Sequence, residues 1–209
     1  MNEKLLLVAL GWLLGIISPV IVDAIRRRRE NALGRTAILS ELRELAYKLA
    51  LAAYGVRMEH GTVDHAFLQW LKPLLEQYAG FYDAQAFVPR LRTLIAMNEQ
   101  ELAQMNKHTA QAGSKGLMLQ RYPVPLLDSR VAALWSFDTE FQRQLLEIRT
   151  RLELLDDLVD RSRKYFDLTF TKLEGNNYAL VTENFSQACA QYAQSAENIV
   201  GVIMALPRR

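Results

Sequence analysis

LWSFDTEFQRQLLEIRTRLELLDDLVDRSRKYFDLTF, residues 134–170, places Leu134, Phe137, Phe141, Leu145, Ile148, Leu152, Leu155, Val159 and Phe166 three or four positions apart. That spacing is one face of an α-helix, and its persistence predicts a helix from about Asp128 to about Phe170, longer than most globular helices. Between the apolar positions, Glu147, Glu153, Asp156, Asp157, Asp160 and Asp167 alternate with Arg143, Arg149, Arg151, Arg161, Arg163 and Lys164. Neighbours such as Glu147 and Arg151, or Asp157 and Arg161, are four apart, so this is the solvated side of the same helix rather than a set of catalytic carboxylates.

C-terminal to this seam, Glu-Gly-Asn-Asn at 174–177 makes a turn, and Val181, Phe185, Ala188, Tyr192, Ala196, Ile199 and Ile203 repeat the spacing before Pro207 ends it. The two helices, 128–170 and 178–206, form an expected hairpin. On the N-terminal side, residues 113–127 (GSKGLMLQRYPVPLL) hold two glycines and two prolines and read as the longest irregular connection. Before it, Asp83 is expected to cap a helix reaching about Ala112, with Pro89 near its start. A further helix spans roughly 63–82, capped by Thr62 or Asp64 and bent or split at Pro73, and Gly55 and Gly61 bracket the turn that precedes it. Thr36 to Val56 is helical on Ile38, Leu39, Leu42, Leu45, Ala46, Leu49 and Ala53. Strand-type alternation is absent, so the fold class is all-α, an antiparallel bundle of about five helices over residues 30–209 with a long C-terminal hairpin. Trp70, Trp135 and Phe137 are expected in its core.

Residues 1–29 are of another kind. Leu5 to Val22 carry no formal charge and include twelve Leu, Ile or Val. Eighteen residues at helical rise reach roughly 27 Å, close to the hydrocarbon thickness of a bilayer. Those twelve contribute very roughly −4 to −7 kcal/mol to insertion, and Asp23 can sit at the interface within a turn of Arg26 and Arg27. A cleaved signal peptide would have a positive leading segment and a shorter apolar run; here Glu3 cancels Lys4, and Arg26, Arg27, Arg28 and Arg29 follow the span. The other competing assignment is a buried core helix. The preferred expectation is a retained single N-terminal transmembrane helix in the inner (plasma) membrane. The N-terminus is outside and the C-terminal domain cytoplasmic, because a block of arginines resists translocation. The overall net charge of +2 hides this asymmetry, since residues 1–29 sum to +3. The four arginines, with Arg35 nearby, face anionic headgroups as topology determinants.

Within the span, Gly11 and Gly15 make a G-x-x-x-G pair that allows close approach of two helices in lipid, though glycine is common in membrane helices. Pro19 lacks the amide that would bond the Gly15 carbonyl, which predicts a kink and gives Gly15 a local explanation. Residues 26–35 contain only Gly34 as a breaker, so the span and the 36–56 helix can be one.

The chemistry-bearing residues are few. His60 and His65 lie near Glu59 and Asp64, but Gly61 intervenes and five-residue spacing does not share a helix face, so cap residues around a turn are expected rather than a metal site. No Glu-x-x-His pair, P-loop, G-x-G-x-x-G, G-x-S-x-G or H-E-x-x-H occurs. No cofactor is expected. The single cysteine, Cys189, precludes an intramolecular disulfide and reads as a small buried hydrophobe. The 107–130 stretch gathers Lys107, His108, Lys115, Arg121 and Arg130 around Tyr122 with Asp128 as its acidic member. That loop is a candidate for an anionic ligand or acidic partner, against the plainer alternative of a solvated connection. No basic surface with interleaved aromatics suggests nucleic acid.

The expected function is therefore a non-enzymatic, membrane-anchored interaction or scaffold module, with the lipid bilayer and a protein partner or second copy as its partners. The alternative is a membrane-perturbing effector or sensor whose helical domain rearranges the span. The sequence leaves any small-molecule ligand unspecified.

Overall fold

The computed structural model describes residues 2–78, 80, 86–111, 118–171 and 177–207, with backbone alone at 2–11, 13–20, 111, 132, 133 and 135. Those residues are helical without a strand, in the order α1 (Asn2–Glu59), α2 (His65–Glu76), α3 (Val88–Ala96), α4 (Glu99–Gln111), α5 (Pro125–Arg130), a 3-10 turn (Val131–Ser136), α6 (Thr139–Leu168) and α7 (Asn177–Met204).

Helix α1 is a single element of 58 residues, about 87 Å long at helical rise. The segment expected as a span and the first bundle helix are therefore one continuous helix. Gly34 does not interrupt it, because residues 30–40 continue the helical hydrogen bonding and Gly34 is itself the first buried residue among those whose side chains are described. Arg130 and Phe137 lie against that position at 3.8 Å from where a Cβ would stand. Downstream, Ile38, Leu39, Leu42, Leu45, Ala46, Leu49, Ala50, Ala53 and Val56 are buried, the stripe the spacing predicts. Upstream, all of residues 21–30 are exposed. One helix thus has a packed segment from Gly34 onward and an exposed segment over residues 21–30.

The end of α1 is set by Gly61 alone, with Gly55 inside the helix. Gly61 has φ +62°, and Thr62 N–H donates to the Arg57 carbonyl while Gly61 N–H donates to that of Met58, at 2.8 and 3.2 Å. This is a Schellman closure, which needs a left-handed residue there. A Cβ on Gly61 would also stand 2.5 Å from the Asn106 carbonyl oxygen.

Of the two expected caps for α2, Asp64 serves, accepting from Phe67 N–H at 2.7 Å. Helix α2 carries Pro73 in its interior and stops at Glu76, short of the expected residue 82. The helix expected over 83–112 is two. Asn98 Oδ1 accepts from Glu101 N–H at 2.9 Å and Glu101 Oε2 from Asn98 N–H at 2.8 Å, a reciprocal capping box that starts α4 afresh. The expected cap Asp83 lies outside the described residues. The expected start of the long helix at Asp128 is also corrected: Phe137 is extended, Asp138 caps Phe141 N–H, and α6 begins at Thr139. A side-chain cap costs less than forcing the helix through, because it satisfies an orphan amide.

Helix α7 packs along both α6 and α1. It is antiparallel to α1, since Leu39 shares a wall with Ile203 and Leu206 at one end, and Arg57 meets Glu197 nearer the other. Arg35 on α1 bonds Asp138 at 2.8 Å and covers the Phe141 ring at 4.1 Å, so α6 begins beside the middle of α1, where α1 enters the core. The remaining helices brace α1. Glu41 accepts from the Leu126 and Leu127 amides of α5 at 2.9 and 2.8 Å, and Asn31 Nδ2 donates to the Ser136 carbonyl at 3.3 Å. Tyr54 meets Phe87 edge to face at 4.9 Å, and Phe137 and Trp70 are half-buried against the core; the side chain of Trp135 lies outside the described residues.

Among the described residues no helix is long and apolar enough to cross a membrane. Of the expected span Leu5–Val22, the side chains described are those of Trp12, Ile21 and Val22; the packing of Gly11, Gly15 and Pro19 lies outside the described residues, though α1 continues through all three positions.

Candidate functional site

The first candidate surface is the exposed part of α1 among the described residues, Trp12, residues 21–30 and Leu33. Trp12, Ile21, Val22, Ile25 and Leu33 are each more than half exposed, and Arg26, Arg27, Arg28 and Arg29 are exposed beside them. Arg26 Nε donates to Glu30 at 2.9 Å, so part of the basic block is offset locally. An isolated helix of this kind gains little from its own hydrogen bonds in water, and these five apolar side chains are left largely uncovered.

Among the described residues, the basic side chains of the connection do not form one patch. Arg121 bonds Asp160 and lies 4.0 Å from Asp156 on α6, so its charge is matched within the chain. Asp128, the acidic member of the stretch, pairs with Arg149 at 3.4 Å. Arg130 sits on α5 beside Gly34, near the start of α6, whereas Asp160 lies toward its end, about 30 Å along the helix by rise per residue. Tyr122 is half-buried against the core. Lys115 lies outside the described residues. Lys107 and His108 are exposed on α4.

The two histidines separate. His60 Nδ1 is 3.3 Å from Ser186 Oγ, and His65 Nε2 is 2.8 Å from the Met97 carbonyl. No group of three possible metal ligands forms among the described residues. His60 and Ser186 share a hollow of about 370 Å³ with Val56, Arg57, Thr62 and Ala193. Arg57 there is already held by Glu197, with both side chains largely buried. A nucleophile needs a base that is itself oriented and donors for the developing oxyanion. Neither accompanies this pair among the described residues. Cys189 is 1% exposed, and burial pushes its thiol up to about 12, with the Glu59 carboxylate adding to the rise; a thiol so held is a core atom, not a nucleophile.

The larger hollow was not anticipated. A cleft of about 780 Å³ opens between α1, the end of α2 and the end of α7. Leu39, Ala46, Leu74, Ile203 and Leu206 give it an apolar wall, while Ser40, Arg43, Glu44 and Gln77 bring polar groups. Tyr47 and Tyr78 stack at 3.8 Å, and Tyr78 Oη donates to Glu44 Oε2 at 2.6 Å. Glu44 also lies 3.8 Å from Lys48 Nζ. Gly80 closes over this pair: a Cβ there would stand 2.2 Å from Tyr78 Oη and 2.5 Å from Glu44 Oε2. Its walls come from residues more than 150 positions apart, so no local motif announces it.

The chain matches no protein-family model, no curated protein and no solved structure at a significant level.

Proposed function

We propose that this chain is a non-enzymatic, membrane-anchored helical module: Leu5–Val22 spans the bilayer, and the bundle from residue 30 onward stands on the arginine side, in the cytoplasm, to engage a protein partner or a second copy. The observation that carries this reading is the division of α1, one unbroken helix whose residues 21–30 are all exposed and whose residues from Gly34 onward enter the core.

Distances along the helix fit. Arg26 to Arg29 fall about 6–10 Å beyond Val22, within or just past a headgroup layer of roughly 5–8 Å. Gly34 lies about 18 Å beyond Val22, so the bundle clears the headgroups. Tethering then raises the effective concentration of the bundle's surface at the membrane without any bond chemistry.

Extraction of membranes with alkaline carbonate, and phosphatase fusions at the C-terminus, test this. The full chain should stay in the pellet, and a C-terminal fusion should be inactive. A chain that stays soluble without detergent, or an active C-terminal fusion, overturns it.

A second function, that of an effector or sensor in which the bundle moves the span, draws on the same helix. With no flexible linker between residues 20 and 38, a rotation of the packed segment is passed to the exposed one. A triple-glycine replacement of Glu30–Ala32 should uncouple the two while leaving membrane insertion intact. An unchanged membrane potential on expression of the native chain counts against the effector.

A further inference from the structure

We propose that the cleft between α1, α2 and α7 binds a single-chain anionic amphiphile, a carboxylate head on one flexible apolar tail, with Arg43 as the residue that holds the head. Its volume of about 780 Å³ falls in the range of small-molecule sites, which are mostly apolar with a few convergent polar groups. The wall of Leu39, Leu74, Ile203 and Leu206 supplies the apolar part.

Charge decides what the head must be. Glu44 is bonded by Tyr78 and flanked by Lys48, so it is matched inside the protein. Arg43, the neighbouring residue on the same turn, lines the cleft and makes no ion pair or hydrogen bond among the described residues. Glu41, Arg43, Glu44 and Lys48 balance in number over this stretch, but Glu41 accepts from the Leu126 and Leu127 amides and Glu44 from Tyr78, which leaves Arg43 as the cation turned to the cleft. A planar guanidinium on the rim of an apolar hollow suits a carboxylate, which it can bond at two points. Ser40, one turn earlier, adds a hydroxyl donor on the same side of α1.

The Tyr78–Glu44 bond shapes the hollow. It holds the Glu44 carboxylate on Tyr78, while the Tyr78 ring lies flat on Tyr47. Any side chain at position 80 would displace that pair.

Photolabelling of the full chain in zwitterionic nanodiscs with a diazirine analogue of decanoate tests the site, with adducts mapped by mass spectrometry. Adducts on Leu74, Met204 or their neighbours are expected, suppressed by excess decanoate and not by acetate or decanol. Arg43→Gln should lower these adducts at least tenfold, the loss of a charged hydrogen bond, while leaving the helical circular dichroism and any adducts on residues 5–22 unchanged. Leu74→Trp, which fills the hollow and keeps the charge, should lower them as well. Cleft labelling that Arg43→Gln leaves intact, equal protection by decanol, or labelling confined to residues 5–22 each overturns the proposal. Protection of the cleft by a second copy, seen as a dimer cross-linked through Met204, overturns it too. Labelling of the cleft without labelling of residues 5–22 would instead remove the membrane span and spare this site.

Discussion

Arg57 on α1 donates to both carboxylate oxygens of Glu197 on α7, Nε to Oε1 at 2.6 Å and Nη2 to Oε2 at 3.0 Å. The same guanidinium lies 4.7 Å over the Phe67 ring and donates to the Thr62 carbonyl at 3.1 Å. One side chain therefore ties α1, α7 and the beginning of α2 together. Its side chain is 21% exposed and that of Glu197 16%, so the pair is largely desolvated, and removing one partner leaves a charge without its match. Glu197→Ala should cost about 2–3 kcal/mol, toward the lower end for such pairs because some water remains. Arg57→Met with Glu197→Leu should cost less than Glu197→Ala alone. Urea unfolding in micelles measures both, and a single-variant cost near zero would show that the pair is ornamental.

Asp138 is the junction between the 3-10 turn and α6. The Phe141 amide, first, and then Arg35 hold its carboxyl below the usual carboxylate range. A group so lowered contributes stability above its unfolded pKa and loses it as pH falls through the folded value. That places the loss below about pH 4. Since the side chain is 56% exposed, the cap rather than the ion pair carries most of the effect, and Asp138→Ala should cost about 1 kcal/mol at neutral pH. Asp138→Asn keeps a capping oxygen and should cost only a few tenths of that order. It should also flatten the acid limb below about pH 4. Urea melts between acid and neutral pH separate the two variants.

Gly201 lies exposed within α7, and nothing stands within 4 Å of the place a Cβ would take. Glycine in a helix interior costs roughly 0.5–1 kcal/mol relative to alanine. Gly201→Ala should therefore raise stability by about that amount. Gly34→Ala meets Arg130 and Phe137 at ordinary contact distance, 3.8 Å, and should be neutral to mildly stabilising. Thermal unfolding of each variant checks this; a lowered midpoint for Gly201→Ala would show that another molecule packs there.

The apolar stripes on α1, α6 and α7 were legible because each is a local periodicity: Ile38 to Val56, Phe141 to Val159 and Ala188 to Ile203 are buried as the spacing requires. The buried Cys189 and the Glu147–Arg151 pair at 2.8 Å follow from the same logic. What failed were boundaries where a capping residue competes with a continuing stripe. Asn98-x-x-Glu101 and Asp138 were visible in the sequence as cap types, yet the apolar spacing on either side masked them. The 780 Å³ cleft was invisible, since its walls at 39–47, 74–80 and 203–206 meet only through tertiary packing. The same is true of the splitting of Arg121 from Arg130, because which carboxylate faces a loop arginine is decided by the helix laid beside it.

The alkaline limb of stability tests the interior of the α1–α7 contact. Burial raises the Cys189 thiol to about 12, and it raises the Tyr192 hydroxyl as well, whose Oη donates to the Gln120 carbonyl at 3.0 Å. In both cases the folded chain holds its proton more tightly than the unfolded one, so stability is intact below the unfolded pKa and falls as pH climbs toward the folded value. For the thiol that window opens near pH 9 and closes near 12, and its full extent is on the order of 4 kcal/mol. Cys189→Ala should remove the part of the decline that begins near pH 9 and leave the tyrosine part, which starts about one pH unit higher. At pH 8 the native thiol should react with a disulfide reagent only at the rate of global opening, and urea should expose it. Rapid native labelling at that pH would mean that α7 separates from α1 without global unfolding.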